Sequence, residues 1–241
     1  MKNQYFGDIN DYKKYSLLRI LSGYGRLKTS ICWVLTEDDA RNDGSRVQYL
    51  NKPDGWLDYD PVVFEHLRDH VIVRGVRDVK NIEESDVLPN CSFYSELLPD
   101  DGNSRDEFFK DFSDFAKGTD LVFFDPDNGI EVKSTPRGKR GSSKYVYWDE
   151  VQSSYQASHS LLIYQHFPRK PRDCFLMSLI EKFKDFIQAN HVISFCTHHV
   201  VFLLLPQKEH EAIFIKNSIN VEDSWGDIIK VQKHELIGLL A

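Results

Sequence analysis

Four large apolar residues in succession, Leu121-Val122-Phe123-Phe124, run straight into Asp125-Pro126-Asp127-Asn128-Gly129. An apolar run of that length bounded by charge predicts a strand buried on both faces. Proline has no N–H to give to a ladder, and Asn-Gly tolerates positive φ, so the chain turns there. Two carboxylates, an amide and a glycine are therefore expected at the carboxyl end of a buried strand, with Glu131 and Lys133 directly behind them. In open α/β sheets ligands bind at that edge. The plainer alternative is a polar strand-to-loop turn in which Asp127 caps its own backbone.

The rest of the chain alternates strands with helices. Tyr12, Tyr15, Leu18 and Leu21, widened by Leu17, predict a helix over residues 8–22, capped by Asp8 or Asp11 and ended by Gly23. Residues 29–36 read as a strand that ends in Glu37-Asp38-Asp39. Asp60-Pro61 starts a helix with Pro in its first turn. Residues 91–98 suit a strand. Ser104, with Glu107 three residues on, predicts a helix start, with Phe108, Phe109, Phe112 and Phe115 facing inward. After the central strand, residues 160–164 form another strand that ends in Gln165-His166. Asp173 is expected to cap a helix running to Ala189, with Phe175, Leu176, Leu179, Phe183 and Phe186 inward. Residues 191–196 and 199–205 predict an antiparallel hairpin around Thr197-His198. A helix over residues 207–218 and a short strand at 228–231 close the chain. This order predicts one α/β domain over residues 1–241: a mostly parallel, Rossmann-like sheet flanked by helices, with an antiparallel C-terminal hairpin.

Composition narrows the function. The net charge of −7 excludes a globally basic nucleic-acid coat, so any such contact must use local patches. No apolar run is long enough to cross a bilayer, and the first residues lack the apolar core of a signal peptide. The four cysteines, Cys32, Cys91, Cys174 and Cys196, show no CxxC pairing and lie in apolar segments. They are expected to be buried packing residues in a reducing, cytoplasmic protein.

Three strands thus end in polar clusters: Glu37-Asp38-Asp39, Asp125 to Asn128, and Gln165-His166. A parallel sheet would bring all three to one edge. His166 would face the carboxylates there, which tend to raise a histidine's pKa. Residues 133–144 carry Lys133, Arg137, Lys139, Arg140 and Lys144 with no acid among them, and Arg169-Lys170-Pro171-Arg172 leaves the same edge. Both suit phosphate, and Tyr145, Tyr147, Trp148 and Phe167 between them suit base stacking. The Lys133–Lys144 loop is then either a solvated, mobile surface or a grip on nucleic acid or a nucleotide, with Arg137, Lys139, Arg140 and Arg169 on phosphate.

Leu121 to Asn128 resembles the apolar-strand-then-Asp-Pro-Pro-Tyr motif of adenine amino-methyltransferases. Phe6-Gly7-Asp8-Ile9-Asn10-Asp11-Tyr12-Lys13-Lys14-Tyr15 is similar to the opening of the ribosomal-RNA adenine methyltransferases that act on naked large-subunit RNA, with Asp11, Lys14 and Tyr15 on the pattern. Strand–helix units ending in a hairpin are likewise the layout of class I methyltransferases. The resemblance implies an S-adenosylmethionine-dependent enzyme acting on nucleic acid. Asp125, with Asn128, would bind the target amino group; Asp11, Lys14 and Asp38 or Asp39 would bind the cofactor; His166 would assist proton transfer. Asp127 stands where the motif has its second proline, Asn128 where it has the stacking aromatic, and the strand at Ile31–Leu35 is not followed by Gly-x-Gly. Phe-Gly-Asp near the start, Asp-Pro-Asp-Asn-Gly, and Tyr-Gln-His-Phe-Pro later also resemble a bacterial protein family, more closely, and that likeness carries no activity with it.

Two alternatives compete. Asp127 with Glu131-Val132-Lys133 resembles the active site of metal-dependent nucleases and phosphodiesterases. Asp38, Asp125, Asp127 and Glu131 would then hold Mg²⁺, and Lys133 would orient water or stabilise charge. The other alternative is a non-enzymatic nucleotide- or partner-binding module, which needs no acid geometry.

Overall fold

A computed structural model describes residues 1–39, 41–187 and 189–236. Residues 237–241 of the predicted domain, and Gln188 within the predicted helix to Ala189, lie outside the described residues. The elements in order are α1 (Ile9–Leu21), β1 (Thr29–Cys32), α2 (Pro53–Trp56), α3 (Pro61–Arg68), α4 (Lys80–Glu83), β2 (Cys91–Tyr94), α5 (Gly102–Phe115), β3 (Leu121–Phe124), β4 (Gly129–Ile130), β5 (Tyr145–Val146), α6 (Trp148–Gln156), β6 (Ser160–His166), α7 (Arg172–Phe186), β7 (His191–Cys196), β8 (Val200–Leu205), α8 (Glu211–Trp225) and β9 (Lys230–Glu235).

Seven strands form one sheet in the order β2-β1-β3-β6-β8-β7-β9, and β4 and β5 pair separately. β1 lies parallel to β2 and β3, and β3 parallel to β6. β8 runs antiparallel to β6 and to β7, and β9 antiparallel to β7. Strands β1, β2, β3, β6 and β7 thus point one way, which is the predicted Rossmann-like sheet with its antiparallel C-terminal edge. The chain leaves β1 to one side for β2, then returns to the other side for β3. That reversal opens a crevice at the carboxyl ends of β1 and β3.

Burial on both faces follows from the strand sequences. Ile31, Leu121, Phe123 and Leu162 pack into one core with α1, α3 and α8. Their neighbours Cys32, Val122, Phe124 and Leu161 pack into a second core with α5, α6 and α7. Successive side chains on a strand point to opposite faces, so one apolar run feeds two cores. α1 goes further than its stripe predicts. Tyr12, Tyr15, Leu17, Leu18 and Leu21 are buried as expected, but so are Asn10, Asp11, Lys13 and Lys14 on its other faces.

Several boundaries differ from the sequence reading. The α5 cap is Asp101, whose carboxylate accepts from Ser104 N at 2.9 Å; Ser104 itself lies inside the helix. Phe115, expected inward, is 39% exposed, and Cys174, expected buried, is exposed. Asp173 lies in the first turn of α7, with Pro171 at the cap. β6 extends through His166, so Gln165 and His166 are strand residues, held by antiparallel pairing with Val201 and Val200. Asn217 and Trp225 both belong to α8, which runs well beyond the expected end of the last helix. The strand expected at residues 228–231 is β9, shifted to Lys230–Glu235 and paired on β7. No described helix is long and apolar enough to cross a membrane.

Candidate active site

Three sequence segments meet at the carboxyl edge: the α1 start, the turn after β1, and the turn after β3. Asp8 caps α1 by accepting from Asn10 N at 3.0 Å, and its other oxygen accepts from Arg46 N at 3.0 Å. Asp11 accepts from Gly7 N at 3.1 Å. Gly7 is needed there: its φ is +84°, and a Cβ would lie 2.4 Å from Val71 Cγ2. α1 therefore enters the crevice with its Asp11 and Lys14 side chains on the buried side.

Lys14 is the centre of charge. Its Nζ lies 2.7 Å from Asp11 Oδ1 and 2.6 Å from Asp125 Oδ2, with all three side chains no more than 3% exposed. The Tyr164 ring stands 5.2 Å from the same ammonium. Burial opposes the charge on Lys14, but Asp11 and Asp125 outweigh it and hold its pKa above the ordinary lysine value. Asp11 is pushed up to about 6, chiefly by burial and further by Asp125, while Lys14 pulls it back.

Asp127 sits beside this triad. Its carboxylate accepts from Thr36 Oγ1 at 2.9 Å and pairs with the Met1 α-amino group at 3.0 Å. The same amino group donates to the carbonyls of Trp33, Val34 and Asp125. Burial pushes the Asp127 pKa up, but that ammonium and Thr36 prevail and lower it. Where the resemblance has a glycine turn, the chain has Trp33-Val34-Leu35, fully or nearly buried, and Val34 takes a φ of +49°. A β-branched residue seldom adopts that conformation, so strain is concentrated at this strand end.

His166 has a lowered pKa, contrary to the sequence expectation. Its Nε2 lies 3.0 Å from Tyr164 Oη. Burial lowers its pKa and outweighs the upward pull of Asp125 and Asp127. His199, on the hairpin turn between β7 and β8, also lines the cavity, and its pKa is lowered by burial, Arg46 and His198.

These groups surround a cavity of about 540 Å³ that takes in Asp8, Asp11, Lys14, Arg46, Asp125 and His166. Asn10 also lines it, and its Oδ1 is buried with no hydrogen-bond partner. That oxygen is an acceptor open to a ligand N–H group or cation.

Of the remaining predicted residues, Asn128 lines this cavity and the others fall elsewhere. Asp38 accepts from Gln4 N at 3.0 Å, and Asp39 pairs with Lys2, so both hold the N-terminal segment. Asn128 lines the cavity, its backbone tied to Lys144 O and to Gln165 Nε2. Glu131 accepts from Trp148 N at 3.0 Å at the start of α6 and, with Lys133, opens on a neighbouring cleft. The Asp127-Glu131-Lys133 constellation is therefore split between two cavities. Among the described residues no three His, Cys, Asp or Glu side chains are grouped to hold a metal ion. Arg137, expected on phosphate, instead meets Asp106, Glu150 and Asp149. The loop is pinned to the body: Arg105, fully buried, pairs with Glu150 and donates to the carbonyls of Ser142 and Tyr145. Lys139, Arg140 and Arg169 are exposed.

Sequence reasoning missed Arg46, Tyr164, His199 and the Arg105–Glu150 pair. Arg46 lies in a polar loop with no local signal. Arg105 sits in an amphipathic helix start where an arginine is ordinarily solvated. Compared with known proteins, the chain matches no family model and no curated protein.

Proposed function

We propose that the protein is a methyltransferase-like group-transfer enzyme acting on nucleic acid, with Asp125 at its reaction site. The observation that carries this reading is the pairing of two cavities that share one wall. The Asp125 cavity and the cleft beside it have Asn128, His166 and Phe167 in common. Group transfer needs two ligands held edge to edge, and proximity of that kind supplies much of the rate. Parallel strand–helix units ending in an antiparallel hairpin are the layout the resemblance implies, and Asp125 stands where its amino-binding Asp stands.

Adenosylmethionine fits the first cavity by donor chemistry. The unpartnered Asn10 Oδ1 suits an ammonium or sulfonium, beside the Asp8 carboxylate that Arg46 Nε approaches at 3.6 Å. Bound there, the cofactor would supply an electrophilic methyl group. Lys14 neutralises Asp125 in part and locks its orientation. Asp125, with the Asn128 amide, accepts hydrogen bonds from an exocyclic amino group and turns it toward the first cavity. His166, whose pKa burial lowers, would take the proton the amine releases on Nδ1, in the tautomer that donates Nε2–H to Tyr164 Oη.

Titration calorimetry and thermal shift with adenosylmethionine test the reading. Binding should stabilise the fold by about 2.7 kcal/mol at a hundredfold excess over Kd. Labelled methyl groups should pass to RNA or DNA, and Asp125→Asn should abolish transfer. No heat and no shift at millimolar ligand would overturn the proposal. Nucleic-acid binding without transfer would favour a binding module, and Mg²⁺-dependent cleavage lost in Asp127→Asn would favour a nuclease.

A further inference from the structure

The cleft beside the Asp125 cavity is larger, about 840 Å³, and of different chemistry. Its floor is aromatic. Trp148 and Phe186 stack with ring centres 5.2 Å apart and planes 14° from parallel. Phe167 meets Phe175 edge to face at 6.2 Å. α7 brings Phe175, Leu179, Lys182 and Phe186 to one side by their spacing of four, three and four residues. Phe186 is 46% exposed, so the platform has a free face.

The rim is basic. Lys133 follows β4, Lys170 follows β6, and Lys182 rises from α7; all three line the cleft. Among the described residues none of them takes part in an ion pair, whereas the nearby Arg137 is fully engaged with acids. The one carboxylate on the cleft, Glu131, is occupied by Trp148 N. Three unmatched cations around an aromatic floor call for a ligand that is both planar and anionic. The wall toward the Asp125 cavity adds the side-chain amide of Asn128, which suits a ring with a polar edge.

We propose that this cleft binds a nucleotide unit, with its base on the Trp148–Phe186 platform and its phosphates on Lys133, Lys170 and Lys182. Resting on the reading of Asp125 as the reaction site, the base would present its polar edge to Asn128 and His166. A base inside a duplex has no free face, so the source is either a free nucleotide or a nucleotide in a single strand. The interface lies in the cleft between β6, α6 and α7; of the loop's basic residues, Lys133 lines it.

Fluorescence anisotropy with labelled ten-residue single strands of RNA and DNA, competed by AMP and by duplex, tests this. Single strands should bind, and duplex should compete poorly. Lys170→Ala with Lys182→Ala should weaken binding about tenfold and flatten the salt slope by up to roughly 0.7 for each phosphate no longer neutralised. Phe186→Ala should weaken it about tenfold, and Phe186→Tyr should keep it. Competition by AMP at millimolar concentration marks a free nucleotide as the ligand; competition by oligonucleotide alone marks a strand. Wild-type protein that binds neither, or variants that bind as wild type, would overturn the proposal. Adenosylmethionine titrations of the same variants separate the two sites. Intact cofactor binding with no nucleotide binding removes this inference and leaves the Asp125 reading standing; nucleotide binding with no cofactor response does the reverse.

Discussion

Lys14 shows how little a residue's type says about its work. Lysine is ordinarily a surface residue, yet here a single ammonium compensates two buried carboxylates, Asp11 and Asp125. Removing one partner of such a set leaves the others charged, buried and unmatched. Lys14→Met should therefore cost about 3–5 kcal/mol. Asp125→Asn should cost less, because Asp11 still holds Lys14. Urea denaturation of the two variants checks the order; equal stabilities would show that the triad relaxes into water. The same compensation explains why Asp125 can sit against apolar strands at all. The triad lines the first cavity, and perturbed ionisable groups in a cleft make it a candidate site.

Among the elements, the turn after β3 is the most constrained. Gly129 has a φ of +116°, and a Cβ there would lie 2.3 Å from Gln165 Oε1. That oxygen accepts from Ile130 N at 2.8 Å, while Gln165 Nε2 donates to Asn128 O at 3.1 Å. Gln165 thus ties the β3 turn to β6 and sets Asn128 between the two cavities. Gly129→Ala should strain the backbone and break these bonds, destabilising the protein by about 2 kcal/mol or more. Gln165→Ala combined with Gly129→Ala should cost less than the sum of the two changes, since both remove the same hydrogen bonds; simple additivity in denaturation midpoints would count against this account. The starts of α1 and α3 were legible from their Asp8 and Asp60 caps, but that of α5 was not. At α5 both Asp101 and Ser104 have capping chemistry, and the choice depends on where the helix axis meets the sheet.

For the molecule as a whole, titration of buried groups shapes the stability curve. His66 packs against Phe6 and His70, and its pKa is pushed down to about 4, chiefly by burial and then by His70. The unfolded chain takes that proton near 6.5. Between those values the unfolded state binds more protons, so stability falls as pH drops through the window. Asp11 works in the opposite sense: with its pKa raised to about 6, the folded state binds the proton first, and that contribution falls as pH rises from the ordinary 3.8. His66→Phe isolates the histidine. The stability of the wild type relative to this variant should shrink between about pH 7 and pH 5. Parallel pH dependence of the two denaturation midpoints would overturn it.

Periodicity and turn chemistry were enough to read the α/β class, the buried β3, the hairpin of β7 and β8, and the Asp125 turn, because each rests on contacts within a few residues. Parallel strands then follow from connection lengths, which brings the Asp125 turn and His166 to one cavity, whereas Asp38 and Asp39 instead hold the N-terminal segment. The partners of Lys14, the diversion of Arg137 and Arg105 to acids, the lowered pKa of His166, and the separation of Glu131 and Lys133 from Asp127 were not legible. Each depends on side chains brought together across tens of residues: Lys14 meets Asp125 from 111 positions away. Burial and pairing, which decide charge states, are properties of that assembly. A local pattern can say that a carboxylate or lysine is present, but only packing decides which opposite charge reaches it and whether water is left between them.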